Sequence, residues 1–340
     1  MIEISRYILA IVVAQTHLWP KGQDWTGQIA VVAFYTLSGY LMTRVLNTRY
    51  GFTWGGTGRF VLNRILRLWP AYFAIMALTL LALQFLPLWN FFFLIRLPTT
   101  PADIVTNALV LGQVTFDFRQ WLPLAKPLVT SWSLSIEICC YLLLALYFAR
   151  SSARLCVFIV LGVVGMTLST AWCVVSADPA AYGPYCFQQR YGVIQAGFVP
   201  FACGGLFYFH KKLIAAWLKA RWWLVVGMLS AGMLLMLLGP KLSATIGPFL
   251  GIPLACLLLT AAPEIKATPV QDFFGRASYH VFIAHMPIAA ILVTGLRFTA
   301  NSLAVFVVTL AMALMLSGVL VPMEWRINGI RRQIAPAAKD

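Results

Sequence analysis

SLAVFVVTLAMALMLSGVLVP, residues 302–322, carries no charged side chain from end to end. About 20 apolar residues suffice to cross a hydrocarbon core, and at that length in lipid only a helix satisfies its own backbone hydrogen bonds. Comparable runs lie near residues 4–19, 27–46, 68–87, 132–149, 155–175, 191–209, 222–239, 243–261 and 278–296. The period-two alternation of a membrane barrel is absent. Across its 340 residues the chain is 61% hydrophobic and 10% charged, with a mean hydropathy of +0.84. An ordinary soluble domain carries roughly a quarter charged residues. The expected fold is therefore an all-α polytopic membrane helix bundle of about ten transmembrane helices. It forms a single domain over residues 1–340, with no internal repeat and no appended soluble domain.

A net charge of +15 would point to nucleic acid in a soluble protein. Here the Lys and Arg fall in short links between apolar runs, which is the pattern of membrane orientation, so no nucleic-acid partner is expected. One run decides the topology. DIVTNALVLGQVT, residues 103–115, is short and studded with polar side chains, and reads as an interfacial or re-entrant segment rather than a crossing. With that segment out of the count, most of the basic residues, including Arg44, Arg49, Arg59, Arg64 and Arg67, fall on the cytoplasmic side. Both termini then lie inside the cell, and residues 88–131, rich in Trp, Pro and Phe, form one long outer loop. If the segment crossed, the majority would lie outside. The expected location is the inner (cytoplasmic) cell membrane, spanned many times. The first apolar run shows no cleavage site for a removable signal peptide. The seven Cys show neither CxxC nor zinc spacing and read as small apolar packers; no metal site is expected.

Ionisable groups inside spans cost about 2.5–3.5 kcal/mol each on insertion scales, so each is a functional candidate. Of the ten acidic residues only Glu137 is expected inside a span. Arg6 and His17 lie eleven residues apart, about three turns and ~16 Å along one helix face, with His17 toward the outer half of the membrane. A neutral imidazole there can take a proton from a hydroxyl and return it to a leaving group. Arg64 and Arg67 share a helix face at the start of the third span, where they could grip phosphates or a carboxylate. Tyr279 and His285 sit near the start of the span at 278–296, as a substrate-orienting pair or a helix contact. His210 and His280 read as ordinary interface residues. The same buried groups would also suit a transporter or flippase for a small polar or lipid-linked solute, although such proteins are commonly built from repeats and none is seen.

Five stretches combine in order: the Arg6–His17 spacing, GQIAVVAFYTLSGYLMTRVL (27–46), FVLNRILRLWPAYF (60–73), SWSLSIEICCYL (131–142) and FGRASYHVFIAH (274–285). Together they resemble acyltransferase family 3 from about residue 3 to 325. The resemblance implies a membrane O-acyltransferase that takes an acyl group, often acetyl, from cytoplasmic acyl-CoA (acetyl-CoA) as co-substrate. The group would pass to a hydroxyl of a cell-envelope or secreted glycan. It further implies His17 as the catalytic imidazole supported by Glu137, with Arg6, Arg64 and Arg67 binding the donor. Ser38, Gly39, Trp132, Tyr141, Tyr279 and His285 would be supporting residues. Two details depart from the family pattern: the aromatics before Ser38 are Phe34 and Tyr35, and Ile138, Cys139 and Cys140 separate Glu137 from Tyr141.

Overall fold

A computed structural model describes residues 1–19, 25–114, 125–175, 186, 188–237, 247–262 and 267–334. The regular structure of the described chain is all helical, without a strand: α1 Ile2–Leu18, α2 Trp25–Val45, α3 Trp54–Ala82, α4 Pro101–Leu109, α5 Ser131–Leu146, α6 Ser152–Val175, α7 Gln188–Tyr191, α8 Phe198–Phe209, α9 Lys211–Leu237, α10 Gly251–Ala261, α11 Pro269–Thr294 and α12 Leu303–Ile334. Six helices are long and apolar enough to cross a membrane, namely α2, α3, α6, α9, α11 and α12. Three shorter apolar stretches, Ser131–Leu146, Ile194–Phe209 and Gly247–Ala261, lie among them. The chain is a multi-pass membrane helix bundle.

Burial sorts the helices into an inner and an outer set. The most apolar windows of α2 and α11 are 78% and 72% buried by the protein itself, whereas those of α3, α6, α9 and α12 are only 11–33% buried. Side chains that face lipid need no protein neighbour, so the second set forms the outer wall. α1, α2 and α11 pack together at the centre, with α8 against α2 and α12 against α11. The α2–α8 crossing is close because glycines face backbone: a Cβ on Gly39 would fall on the Phe201 carbonyl, and one on Gly204 on the Thr36 carbonyl.

Helix ends follow local chemistry. Thr53 caps α3 by accepting from Gly56 N at 3.1 Å, and Thr268 with Gln271 forms a capping box at α11, with Pro269 as first helical residue. α3 therefore starts at Trp54, well before residue 68, and carries Arg59, Arg64 and Arg67 within it. α9 breaks at Arg221 (φ −131°, ψ 24°), next to residue 222 where the span was expected to begin.

The helix within residues 103–114 is too short to cross a hydrocarbon core. Thr100 caps α4, which ends after nine residues, ~14 Å, at Val110 in the left-handed region (φ 56°). The segment folds back on the bundle: Trp69 Nε1 donates to Ala108 O at 3.0 Å, and Tyr72 Oη to Asn107 O at 2.9 Å. Residues 115–124 of the expected long loop lie outside the described residues, as does the start of the span expected at 243–261.

Three expectations are corrected. Cys173 and Cys186 are not packers but form a disulfide, with Cα atoms 6.0 Å apart. Glu137 is not the only acid enclosed by the bundle, since Asp103 and Glu324 are buried. Nor is His280 an ordinary interface residue: it is fully buried, with Nε2 2.9 Å from Glu324 Oε1, and Glu324 also accepts from Arg276 at 3.0 Å. α12 runs on past residue 322, which turns Glu324 inward toward α11 instead of leaving it at a span end.

Candidate active site

His17 stands in the last turn of α1 and opens onto a cavity of about 350 Å³. Thr16, Gln28, Thr130, Trp132, Ser133, Tyr191 and Phe282 line the same cavity. Its size falls within the ordinary range for small-ligand sites. Trp132 packs edge-on to Tyr191 with ring centroids 5.3 Å apart, so both expected and unexpected aromatics wall it.

One contact in the site joins α1 to α11, far apart in sequence. His17 Nδ1 is 2.9 Å from His285 Nε2, and the two rings are parallel to within 9°. His285 Nδ1 in turn lies 3.0 Å from the Val281 carbonyl oxygen. That carbonyl only accepts, so the His285 proton belongs on Nδ1 and its Nε2 is the acceptor. His17 must then donate from Nδ1, which places the lone pair of its neutral ring on Nε2. A backbone carbonyl one helical turn away thus selects the tautomer of both imidazoles.

Glu137 is not the partner of His17. Its Oε1 accepts from Ser38 Oγ at 2.6 Å and from Tyr141 Oη, one turn further along α5. α5 and α2 are thereby tied through Ser38, next to the close-packed Gly39. Tyr35 Oη donates to Ser133 O at 3.1 Å, and Thr130 Oγ1 donates to Phe282 O at 3.0 Å, so the start of α5 is held against both α2 and α11.

Glu137 lines a second, narrow cavity of about 40 Å³ with Arg6, Phe34, Tyr35, Ser278 and Tyr279. The two cavities share Val31, Ser133 and Phe282, so they adjoin at these three side chains. Tyr279 donates to Leu68 O at 3.0 Å, which fixes α11 against α3 beside the Arg64–Arg67 segment. Arg6 lies over the Phe34 ring at 5.8 Å, and Arg64 over Phe60 at 5.6 Å. The charges of Arg6, Arg64, Arg331 and Arg276 all act on Arg67.

The bundle therefore gathers the expected residues into two neighbouring groups: His17 and Trp132 at the larger cavity, with His285 behind His17, and Arg6, Glu137 and Tyr279 at the smaller, with Ser38 and Tyr141 bonded to Glu137 and Arg64 and Arg67 beyond. Among the described residues no three His, Cys, Asp or Glu come together as a metal site. Residues 2–321 match the family model of the acyltransferase domain of acyltransferase family 3. The chain belongs to acyltransferase family 3. No curated protein and no solved structure matches it. In this family member, sequence reading did not anticipate Phe282, Val31 and Ser133 between the two cavities. Phe282 had a signal, since it stands three residues before His285 on one helix face.

Proposed function

We propose that this acyltransferase moves an acyl group, acetyl in the simplest case, from cytoplasmic acyl-CoA to a hydroxyl of a cell-envelope or secreted glycan. The supporting observation is the His17–His285 pair at a cavity that meets a narrow, Arg6-containing chamber. The proposed topology has ten crossings with both termini cytoplasmic, which puts Arg6, Arg64 and Arg67 at the inner end and the His17 cavity toward the outside. The disulfide is consistent with that orientation: with the N-terminus inside, the end of α6 and Cys186 face out, and disulfides persist in oxidising compartments.

In this reading the donor's phosphates rest on Arg64 and Arg67 and its pantetheine arm runs from the Arg6 side toward His17, bringing the thioester to the larger cavity. His17 Nε2 takes the proton of the acceptor hydroxyl as that oxygen attacks the thioester carbonyl. The C–S bond breaks, and the resulting imidazolium protonates the departing CoA thiolate. The same lone pair also suits attack on the thioester itself, giving an acyl-imidazole that the acceptor resolves. Rapid denaturing quench near neutral pH separates the two routes, because only the second leaves acyl label on the protein. Glu137 acts beside the path as a fixed negative charge held by Ser38 and Tyr141, facing the donor's basic residues.

The deciding experiment is release of free CoA from acetyl-CoA by the purified protein in lipid, with and without candidate sugars. Wild type should release CoA, and His17→Ala should not. Equal release by the two would remove His17 from the chemistry, and no release by either would favour a transporter.

A further inference from the structure

Asn63 is an amide in the middle of a helical run of arginines, and it is buried at 4% exposure. Its Oδ1 accepts from Arg64 Nη2 at 3.0 Å and from Arg331 Nη2 at 3.1 Å and Nε at 3.4 Å. Its Nδ2 donates to the Arg331 carbonyl at 3.2 Å. Arg331 Nη1 is held by Asn328 Oδ1 at 2.7 Å, one turn back on α12. A single neutral oxygen thus brackets two guanidiniums from helices distant in sequence, with Arg67 and Arg6 close enough for mutual repulsion.

A protein that only needed to join α3 to α12 would place a carboxylate between two arginines. Here the bridging group is uncharged. Among the described residues, none of Arg6, Arg64, Arg67 and Arg331 forms an ion pair, whereas Arg276 nearby has two acidic partners, Asp272 and Glu324. Arg64 Nε and Arg6 Nε are buried without a hydrogen-bond partner. Like charges held together by neutral groups, with donors left over, form a receptor for a multiply charged anion, and guanidinium forks match phosphate oxygens two at a time. Arg331 lies beyond residue 321, where the family match ends.

We propose that the cytoplasmic end of α12 completes the donor site: Arg331, positioned by Asn63 alongside Arg64, grips the phosphate groups at the nucleotide end of the acyl donor. This rests on the acyl-CoA reading above and adds a residue and a role that reading lacks. Arg331 is a binding residue and Asn63 a positioning residue. An anionic lipid headgroup offers the same phosphate chemistry, and the test separates the two sources.

The test measures binding of coenzyme A, and of pantetheine, which lacks all phosphates, to the full chain in nanodiscs of neutral phosphatidylcholine. Wild type should bind coenzyme A far more tightly than pantetheine. Arg331→Gln should weaken coenzyme A about 10- to 100-fold, the effect of losing a charge-assisted contact, and leave pantetheine unchanged. Asn63→Asp supplies the missing carboxylate. It should raise the melting temperature of the empty protein while weakening coenzyme A, a pair of opposite shifts that a purely structural role for Asn63 would not produce, and it keeps the test alive if Arg331→Gln fails to fold. Equal coenzyme A affinity in wild type and both variants overturns the proposal and leaves the donor reading standing. Equal affinity of wild type for coenzyme A and pantetheine does the same. If wild type binds no coenzyme A, both fall. Arg331-dependent loss of coenzyme A binding that appears only when phosphatidylglycerol is added would assign the clamp to lipid instead.

Discussion

His285 contributes an acceptor atom, and its replacement isolates that contribution. His285→Leu fills the buried space but leaves His17 Nδ1–H with nothing to donate to at that point, so the imidazole can adopt the other tautomer or turn away. Loss of tautomer control costs general-base enzymes about 10²- to 10⁴-fold in kcat, and a drop of that order is expected here with coenzyme A affinity retained. His285→Gln offers an amide oxygen in place of Nε2 and should recover part of the loss. Equal turnover by the Leu and Gln variants would refute the tautomer role. Glu137 calls for a different substitution. Glu137→Gln keeps an oxygen for both Ser38 and Tyr141, so the local hydrogen bonds survive and only the charge goes. Acyl transfer should be abolished while the melting temperature stays close to wild type; a fully active Gln variant would remove the carboxylate from the mechanism. Both side chains stood out in the sequence because so few ionisable groups interrupt the apolar runs. Their partners did not: Ser38 lies 99 residues from Glu137, and His285 lies 268 from His17. Only the packing of α1 on α11 and of α5 on α2 brings these atoms within reach.

Between helices, the contact that sets the site's dimensions is the glycine-to-backbone crossing of α2 and α8. Because α2 also carries Tyr35 and Ser38 toward α5, a shift in that crossing moves the walls of both cavities. Gly39→Ala puts a methyl group where the Phe201 carbonyl already stands, and overpacking of this kind costs about 1–3 kcal/mol. A lowered melting temperature in detergent, with CoA release reduced even at temperatures where the variant is folded, is the expected outcome; unchanged stability would mean that α8 can retreat freely. Helix type and rough position were legible from hydropathy, and the break of α9 beside 222 agrees with the expected start of that span. The start of α3 was not legible. Hydropathy registers where charge ends, and α3 begins earlier because Thr53 caps it and Arg64 and Arg67 sit on helical turns that face neighbouring helices. Asn63 was missed for the same reason, as it lies on the part of α3 that hydropathy assigned to a link. The inward turn of Glu324 required knowing that α12 continues beyond its apolar stretch and that Arg276 and His280 face it.

The proposed transfer from a cytoplasmic donor to an outer acceptor requires the whole molecule to be oriented, and the disulfide supplies a marker for orientation independent of charge counting. Five cysteines are free, at positions 139, 140, 156, 203 and 256, and the remaining two are bonded. Sequence gave no warning of the pair, since Cys173 sits in an apolar helix and Cys186 beyond it, and thirteen residues of separation fit no motif. In sealed right-side-out membrane vesicles, a phosphine reductant that does not cross the bilayer reaches only outward-facing disulfides. After the reductant is removed, denaturation in SDS with a polyethylene-glycol maleimide counts reactive thiols as steps on a gel. Untreated vesicles should show five steps, and treated sealed vesicles should show seven. Permeabilised vesicles treated in the same way must also give seven, which establishes that the bond is reducible at all. Seven in the permeabilised sample and five in the sealed one would place the end of α6 inside. The N-terminus would then lie outside, Arg6 would face away from the cytoplasm, and a cytoplasmic acyl-CoA could not meet the arginines in the order required to deliver its thioester to His17.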